Sequence, residues 1–403
     1  MRILIISQYF WPENFKINDL CLGLKEKGHY IEVLTGLPNY PKGKFFEGYS
    51  LFKNNNETWE GIPVHRSKLF PRGNGGLKLM INYFSFAFFA SLKSKSLSNK
   101  FDCILVYEPS PITVGIPAIF AGKKLKIPYY FWVQDLWPES LTAAGGIKNR
   151  FVLSFFENIT KLIYRKAEKV LVQSKGFKNY IVNQGIDPDK IIFYPNSTEN
   201  FYQPVTPEKA FQDKMPQGFC ITFAGNLGEA QSLFTILNAA LIVKQRGYHQ
   251  IKWVFLGDGR QREQLEKYSD VNNLKNEVHF LGAYPGTDMP KFFACSDVLI
   301  STLKKNKIFS LTIPSKIQSY LACGKPILAS LDGEGADIID NAGAGYSSPS
   351  EDEILLAENA IKLFNDSEED RKKMGQNGLS YFNEEFERNM LLDKLINILD
   401  NKS

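Results

Sequence analysis

The stretch FCITFAGNLGEAQSLFTILNAALIVKQRGYHQIKWVFLGDG, Phe219–Gly259, reads as strand, glycine loop, helix, strand and second glycine loop. Its apolar runs FCITFA and IKWVFL have strand length, while Leu233–Arg246 is long enough for a helix. Downstream, VHFLG, DVLIST and PILAS continue the strand pattern, and a helical tail follows from Asp352. Upstream, the same alternation appears in RILIIS, YIEVLTG, FDCILVY, YYFWVQD and KVLVQS, with helical segments between them. Strand followed by helix, repeated, implies a parallel sheet covered on both faces. The chain is therefore expected to form two α/β domains, residues 1–200 and 201–383, joined in the proline-marked stretch Asn196–Gly218. A helix over about 384–403 is expected to pack back on the first domain, given its apolar spacing in Leu391, Leu395 and Ile398.

A length of 403 residues with 44% hydrophobic and 23% charged content suits two ordinary globular domains. The five cysteines are scattered and form no C-x-x-C pair, so neither a disulfide framework nor a zinc site is expected. The opening MRILIISQYF runs straight into a strand with no cleavage site after a long apolar core. No signal peptide is read there, and a reducing, cytoplasmic setting is expected. The net charge of +5 is unevenly placed: Gly61–Phe101 holds no Asp or Glu, but contains Arg66, Lys68, Arg72, Lys78, Lys93, Lys95 and Lys100. Embedded in it is LMINYFSFAFFASL, Leu79–Leu92, which is shorter than the about 20 residues a span needs. Two readings fit it, a helix lying on the inner face of an anionic membrane and a core helix with a solvated lysine-rich end. Nucleic acid is not an expected partner, because the aromatics sit inside the apolar run instead of alternating with the cations.

Three segments of the second domain suit phosphate chemistry. In FAGNLGEAQSL, Gly225, Asn226 and Gly228 follow a strand and precede a helix, so free N–H groups and close backbone approach come together. FLGDGRQREQLE repeats that logic with Arg260 and Arg262 as added cations. In SLTIPSKIQSYLACGKPILAS, Thr312, Pro314 and Ser315 open a short helix that Gly324 and Pro326 end, placing Lys316 in the first turn. A diphosphate there gains from both helix dipole and lysine charge. In the first domain, SQYFWPENFKIND and FWVQDLWPES follow strands. Glu13, Asn14 and Lys16 make a polar loop, Asp135 and Glu139 are acid/base or sugar-binding candidates, and Trp137 either stacks on a sugar or fills core. The histidines lack metal spacing, and Asp187 and Asp189 of GIDPDKIIFY read as a loop, so no metal or other cofactor is expected.

On SQYFWPE, WVQDLWPES, FAGNLGEAQSL, FLGDGRQREQLE, LGAYPGTDMPKFFACSDVLI and PSKIQSYLACGKPILAS, the chain resembles the retaining glycosyltransferases of family four. That resemblance implies the GT-B fold, two Rossmann-like domains facing a central cleft. Within the family it is most similar to the WbuB type, the L-fucosamine transferases of O-antigen assembly. The resemblance implies a UDP-linked donor, such as an N-acetylated amino sugar, and a polyprenyl-diphosphate-linked saccharide as acceptor. It places Asn226, Gly228, Arg262, Ser315 and Lys316 around the donor diphosphate, Tyr284 near the base, and Gln134 and Asp135 near the reacting sugar. Many members carry E-x7-E, but those positions here fall on Leu311 and Ser319, which leaves Glu334 as the candidate for the ribose. Two other classes remain open: a nucleotide-sugar epimerase of the same fold, and a sugar-binding protein without catalysis.

Overall fold

The computed structural model describes residues 1–52, 56–73, 75–97, 100–145 and 149–400, with residues 143–145 described by their backbone alone. The chain divides into two compact units, Met1–Tyr194 with the chain from Leu392 on, and Pro195–Leu391. In the first unit the strands are β1 (Arg2–Ile6), β2 (Tyr30–Gly36), β3 (Asn56–Trp59), β4 (Ile62–Ser67), β5 (Cys103–Glu108), β6 (Tyr129–Val133), β7 (Lys169–Val172) and β8 (Ile191–Phe193). They form one sheet in the order β3-β4-β2-β1-β5-β6-β7-β8, parallel except for β3, which runs antiparallel to β4 at the edge. β5 and β6 are buried at every residue because helices cover both faces, which is why they read as unbroken apolar runs.

The second unit holds β9 (Phe219–Ala224), β10 (Ile251–Leu256), β11 (Val278–Gly282), β12 (Val298–Thr302), β13 (Ile327–Ser330) and β14 (Gly345–Ser348), all parallel in the order β11-β10-β9-β12-β13-β14. Its core gathers Ile221, Phe223, Trp253, Phe255 and Ile300 of the sheet against Leu233, Ile236, Leu237 and Ala240 of the helix Leu233–Gln245. Each sheet thus has one point where its order reverses, β1/β5 and β9/β12. Loops leaving the carboxyl ends there diverge and open a crevice, the usual ligand position in open α/β sheets.

The proline-marked segment belongs to the second unit. Asn196 O accepts from Gln318 Nε2, the Thr198 and Ser319 hydroxyls pair at 2.9 Å, and Tyr202 stacks on Phe293 with centroids 6.3 Å apart. The last helix buries Leu392, Leu395, Ile398 and Leu399; Tyr130 Oη donates to Leu399 O at 3.4 Å and Lys27 pairs with Asp393 at 2.7 Å.

Candidate functional site

In the second unit the loop after β9 opens at Gly225 (φ 141°) and the loop after β10 at Gly257 (φ 144°). The two interlock. A β-carbon at Gly257 would stand 1.9 Å from the Gly225 carbonyl oxygen, and one at Gly225 would stand 2.6 Å from Lys316 Cε. At Gly257 the obstacle is backbone, so glycine is required there by loop-on-loop packing as well as by φ, whereas at Gly225 the positive φ is the firmer demand and a side chain would displace the Lys316 stem. Leu227 is fully buried and anchors the loop; its N–H donates to Asp258 O at 2.9 Å, and its carbonyl accepts from Gln261 N at 3.0 Å. Among the described residues, the N–H groups of Asn226 and Gly228 meet no acceptor.

Lys316 is the second residue of the helix Ser315–Ala322. Ile317, Tyr320 and Leu321 seat this helix in the core, and the Tyr320 hydroxyl donates to Ile300 O at 3.3 Å while accepting from Ala224 N at 3.2 Å. Lys316 is thereby turned back onto β9. Its Nζ lies 4.2 Å from the Phe223 ring centroid and donates to Gln231 Oε1. The ring face and the amide oxygen favour the charged amine, but burial opposes it and draws its pKa down to about 7. A largely buried amine beside a glycine loop is thus ready to be fully charged by an incoming anion.

The other donor candidates differ in how firmly each is held. Arg262 opens the helix Arg262–Val271 and is held by Glu266 at 2.9 Å. Ser315 is exposed at its helix start. Glu334 opens the helix Glu334–Ala342 after Gly333 (φ 71°), a turn that abuts the loop leading to Lys316, since a β-carbon on Gly333 would meet Ser310 O at 2.1 Å. Tyr284 packs on Phe292 with centroids 4.5 Å apart and carries Lys214 Nζ 4.9 Å from its own centroid. Ser319, one of the two positions that carboxylates occupy in many similar chains, is committed to its bond with Thr198. Gln231, which orients Lys316, is not among the residues singled out from the sequence.

In the first unit a cavity of about 220 Å³ lies at the β1/β5 reversal. Tyr9 follows β1, Tyr40 follows β2, Arg72 follows β4, Ser110 follows β5, and Asp135 and Trp137 follow β6; Phe15 and Tyr83 complete its aromatic wall. Tyr9 stacks on Phe15 at 5.1 Å, and Tyr83 meets Trp137 edge-on at 6.0 Å. Burial raises Asp135 to about 6. Beneath it Glu108, fully buried at the end of β5, is pushed well up, first by burial and then by the charge of Asp135. Of the two, Glu108 is the one pushed further from its ordinary range, so it holds a proton more readily than Asp135.

Glu13 has a task that the sequence reading did not foresee. Its carboxylate accepts from the N–H groups of Phe10 (3.3 Å), Asn39 (2.8 Å) and Tyr40 (2.7 Å), which ties the Tyr40 loop to the end of β1. Asn14 is exposed and Lys16 opens the helix Lys16–Glu26. Gln134 lies beside Asp135, its N–H donating to Glu108 O at 3.0 Å and its carbonyl accepting from Gln173 Nε2 at 2.6 Å. Trp137 is both cavity wall and core, 1% exposed and packed on Phe156 at 5.3 Å. Asp187 caps the turn Pro188–Lys190 by accepting from Asp189 N at 3.0 Å.

The segment Leu79–Leu92 lies in the helix Gly76–Ser94. It is neither fully buried nor polar outside: Leu77, Ile81, Phe84, Phe88 and Leu92 are exposed along one stripe at spacings of three and four, while Tyr83, Phe86 and Ala90 face the core. Phe151, Phe155 and Leu162 of the helix Arg150–Lys166 are also exposed, and Phe155 meets Phe84 with centroids 6.3 Å apart. Among the described residues, no helix is long and apolar enough to cross a membrane.

Residues 206–380 match the profile of the glycosyl transferases group 1, and residues 16–197 match that of the glycosyl transferase 4-like domain. The two profiles take up one unit each, and with the two parallel sheets they define a transferase of the GT-B class. The chain belongs to the group 1, GT4-like glycosyltransferases. It is 27% identical over 300 residues to the probable glycosyltransferase WbjE of Pseudomonas aeruginosa, covering 72% of this chain and 73% of that one. With the putative colanic acid biosynthesis glycosyl transferase WcaI of Escherichia coli K12 it shares 23% identity, over 80% and 82% of the two chains. The crystal structure of Anabaena HepE in complex with UDP superposes with a TM-score of 0.73 at 14% identity, over 100% of both chains.

Proposed function

We propose that the chain moves a sugar from a UDP-linked donor to a polyprenyl-diphosphate-linked saccharide during surface polysaccharide assembly, with retention and without a metal. The observation that carries this reading is Lys316, an amine placed beside the Gly225 loop at the order reversal of the second sheet with no carboxylate acting on it. When the bond from the anomeric carbon to the diphosphate breaks, its electron pair goes to a phosphate oxygen. Lys316 and the N–H groups of Asn226 and Gly228 stabilise that growing charge. The acceptor hydroxyl bonds to the anomeric carbon and its proton passes to the departing phosphate. Arg262 and Ser315 extend the diphosphate site, Tyr284 stands for the base and Glu334 for the ribose. The relatives' names support a polysaccharide role, and an L-fucosamine donor is the finer reading. Turnover is expected to stay within about twofold after exhaustive chelation, because amine and amide groups carry the charge. Complete loss, restored by magnesium or manganese, would overturn the metal-free reading.

The exposed two-helix stripe supports seating on the inner face of an anionic membrane, where a lipid-linked acceptor resides. Lys78 and Lys95 flank the apolar face, but Lys93 is spent on Asn56 Oδ1 (2.8 Å) and Arg66 O (2.9 Å). Phenylalanine insertion is therefore the stronger anchor. Each buried ring contributes roughly 1.5–3 kcal/mol, so Phe88→Ser with Phe151→Ser is expected to lower co-sedimentation with anionic vesicles at least tenfold. Equal binding by this double variant and the parent would remove the membrane from the account.

A further inference from the structure

The first-unit cavity contains a cation and an acid that do not neutralise each other. Arg72 lines it with its guanidinium 5.4 Å from the Tyr40 ring centroid, and its charge acts on the Tyr9 and Tyr83 hydroxyls. Asp135 lines the same cavity, yet burial alone sets its pKa, with no lowering by Arg72. Nor does Arg72 form an ion pair with any other carboxylate among the described residues. The Arg72 backbone is fixed, its N–H donating to Asn39 Oδ1 at 2.9 Å, and Asn39 is in turn held by Glu13. The Trp137 indole N–H, buried in the wall, has no partner among the described residues.

Arg72 is half-buried beside the aromatic wall and forms no ion pair among the described residues, so its charge is open to an anion bound in the cavity. The volume of about 220 Å³ is below the roughly 300 Å³ at which drug-sized pockets begin, and suits one sugar ring instead of a glycan chain. Resting on the glycosyl-transfer reading, we propose that this cavity takes the accepting monosaccharide and that Arg72 selects acceptors with an anionic oxygen group beside the ring. Aromatic faces stack on the ring, Asp135 accepts from a sugar hydroxyl, and Arg72 grips the anion in its two-pronged geometry. The anion has two possible sources: the phosphate at the anomeric oxygen of a carrier-linked sugar, or the carboxylate of a uronic acid.

The test measures dissociation constants of three probes on the full chain by ligand-observed NMR: a hexose 1-phosphate, a methyl hexuronide and a neutral methyl hexoside. At least one anionic probe is expected to bind tenfold or more tightly than the neutral one, and which of them does so identifies the source. Arg72→Gln should bring that probe to the level of the neutral hexoside, and Arg72→Lys should keep part of the preference, with matched thermal unfolding. Equal binding of all three, binding of none, or a preference that survives Arg72→Gln would overturn the proposal. A chain that transfers sugar without charge preference refutes this inference and leaves the transferase reading standing. A chain that prefers the anion but turns over no nucleotide sugar refutes only the transfer reading.

Discussion

Lys316→Met is expected to lower kcat by two to three orders of magnitude while making the folded protein more stable near pH 7. The loss follows from removing a charge-assisted contact to the leaving group, which strengthens as the bond breaks; single oxyanion donors of this kind are worth about 10²–10³ in kcat. Donor affinity should fall less. The gain follows from linkage. Folding draws the lysine down to about 7, so between that value and the unfolded value of about 10.4 the unfolded chain binds more protons. Stability of the parent therefore rises with pH across that window, and the penalty is largest at its lower end. Methionine keeps the stem packed on Phe223 and has no proton to lose, so the variant should show neither the penalty nor the slope. Thermal unfolding at several pH values from 6.5 upward, alongside steady-state kinetics, measures both. A less stable variant with unchanged kcat would make Lys316 a structural residue.

Asp135→Asn should abolish most acceptor turnover, by about 100-fold or more, and remove the acidic limb of the pH profile near 6. Asp135 is raised by burial to about 6, so the carboxylate proposed to contact the acceptor is lost as pH falls through that value. Its effect on stability has the opposite sign. A carboxyl group with a raised folded pKa contributes most below its unfolded value of about 3.9, and that contribution is lost as pH rises through about 6. Asparagine avoids the charged, buried state, so the variant should unfold at a higher temperature than the parent above pH 6 and at nearly the same temperature near pH 4. Glu108 sharpens the contrast. It is fully buried next to Asp135 and is pushed well up by burial and then by the Asp135 charge, so Asp135→Asn is expected to lower the Glu108 pKa. Retained activity in Asp135→Asn, or an acidic limb that persists, would exclude Asp135 from the chemistry.

The parts of the fold that could be read in advance are those whose sequence period equals their burial. CILVYE and FCITFA are buried at every residue, and a strand covered on both faces cannot alternate. The antiparallel edge was not legible. NETW is polar at three of its four residues, and its turn to IPVHRS is Glu60-Gly61, with φ of 47° and 73°, a primed-type hairpin without the usual Asn or Asp. In the second unit the Gly225 loop and the Lys316 helix were each legible locally, but their contact was not, because it depends on a lysine crossing to a glycine some ninety residues away. Gln231 was lost for the same reason. Glu13 stood out as a polar residue in a strand-end loop, a pattern equally suited to sugar binding and to capping three backbone amides. Arg72 looked like one more cation in a basic stretch, and only the return of β4 to the sheet brings it beside Tyr40. Local chemistry was readable along the chain, whereas pairings between distant loops were set by topology.

The most direct test of the transferase reading is mass spectrometry of products after incubating the chelated full-length chain with a panel of nucleotide sugars and a polyprenyl-diphosphate-linked sugar. The account predicts that one donor, UDP-linked, adds a single glycosyl residue to the acceptor and releases an equimolar amount of nucleoside diphosphate, and that nothing is consumed rapidly when the acceptor is omitted. Conversion of the donor to an isomeric nucleotide sugar without acceptor, or binding of donors with no turnover of any of them, would contradict it.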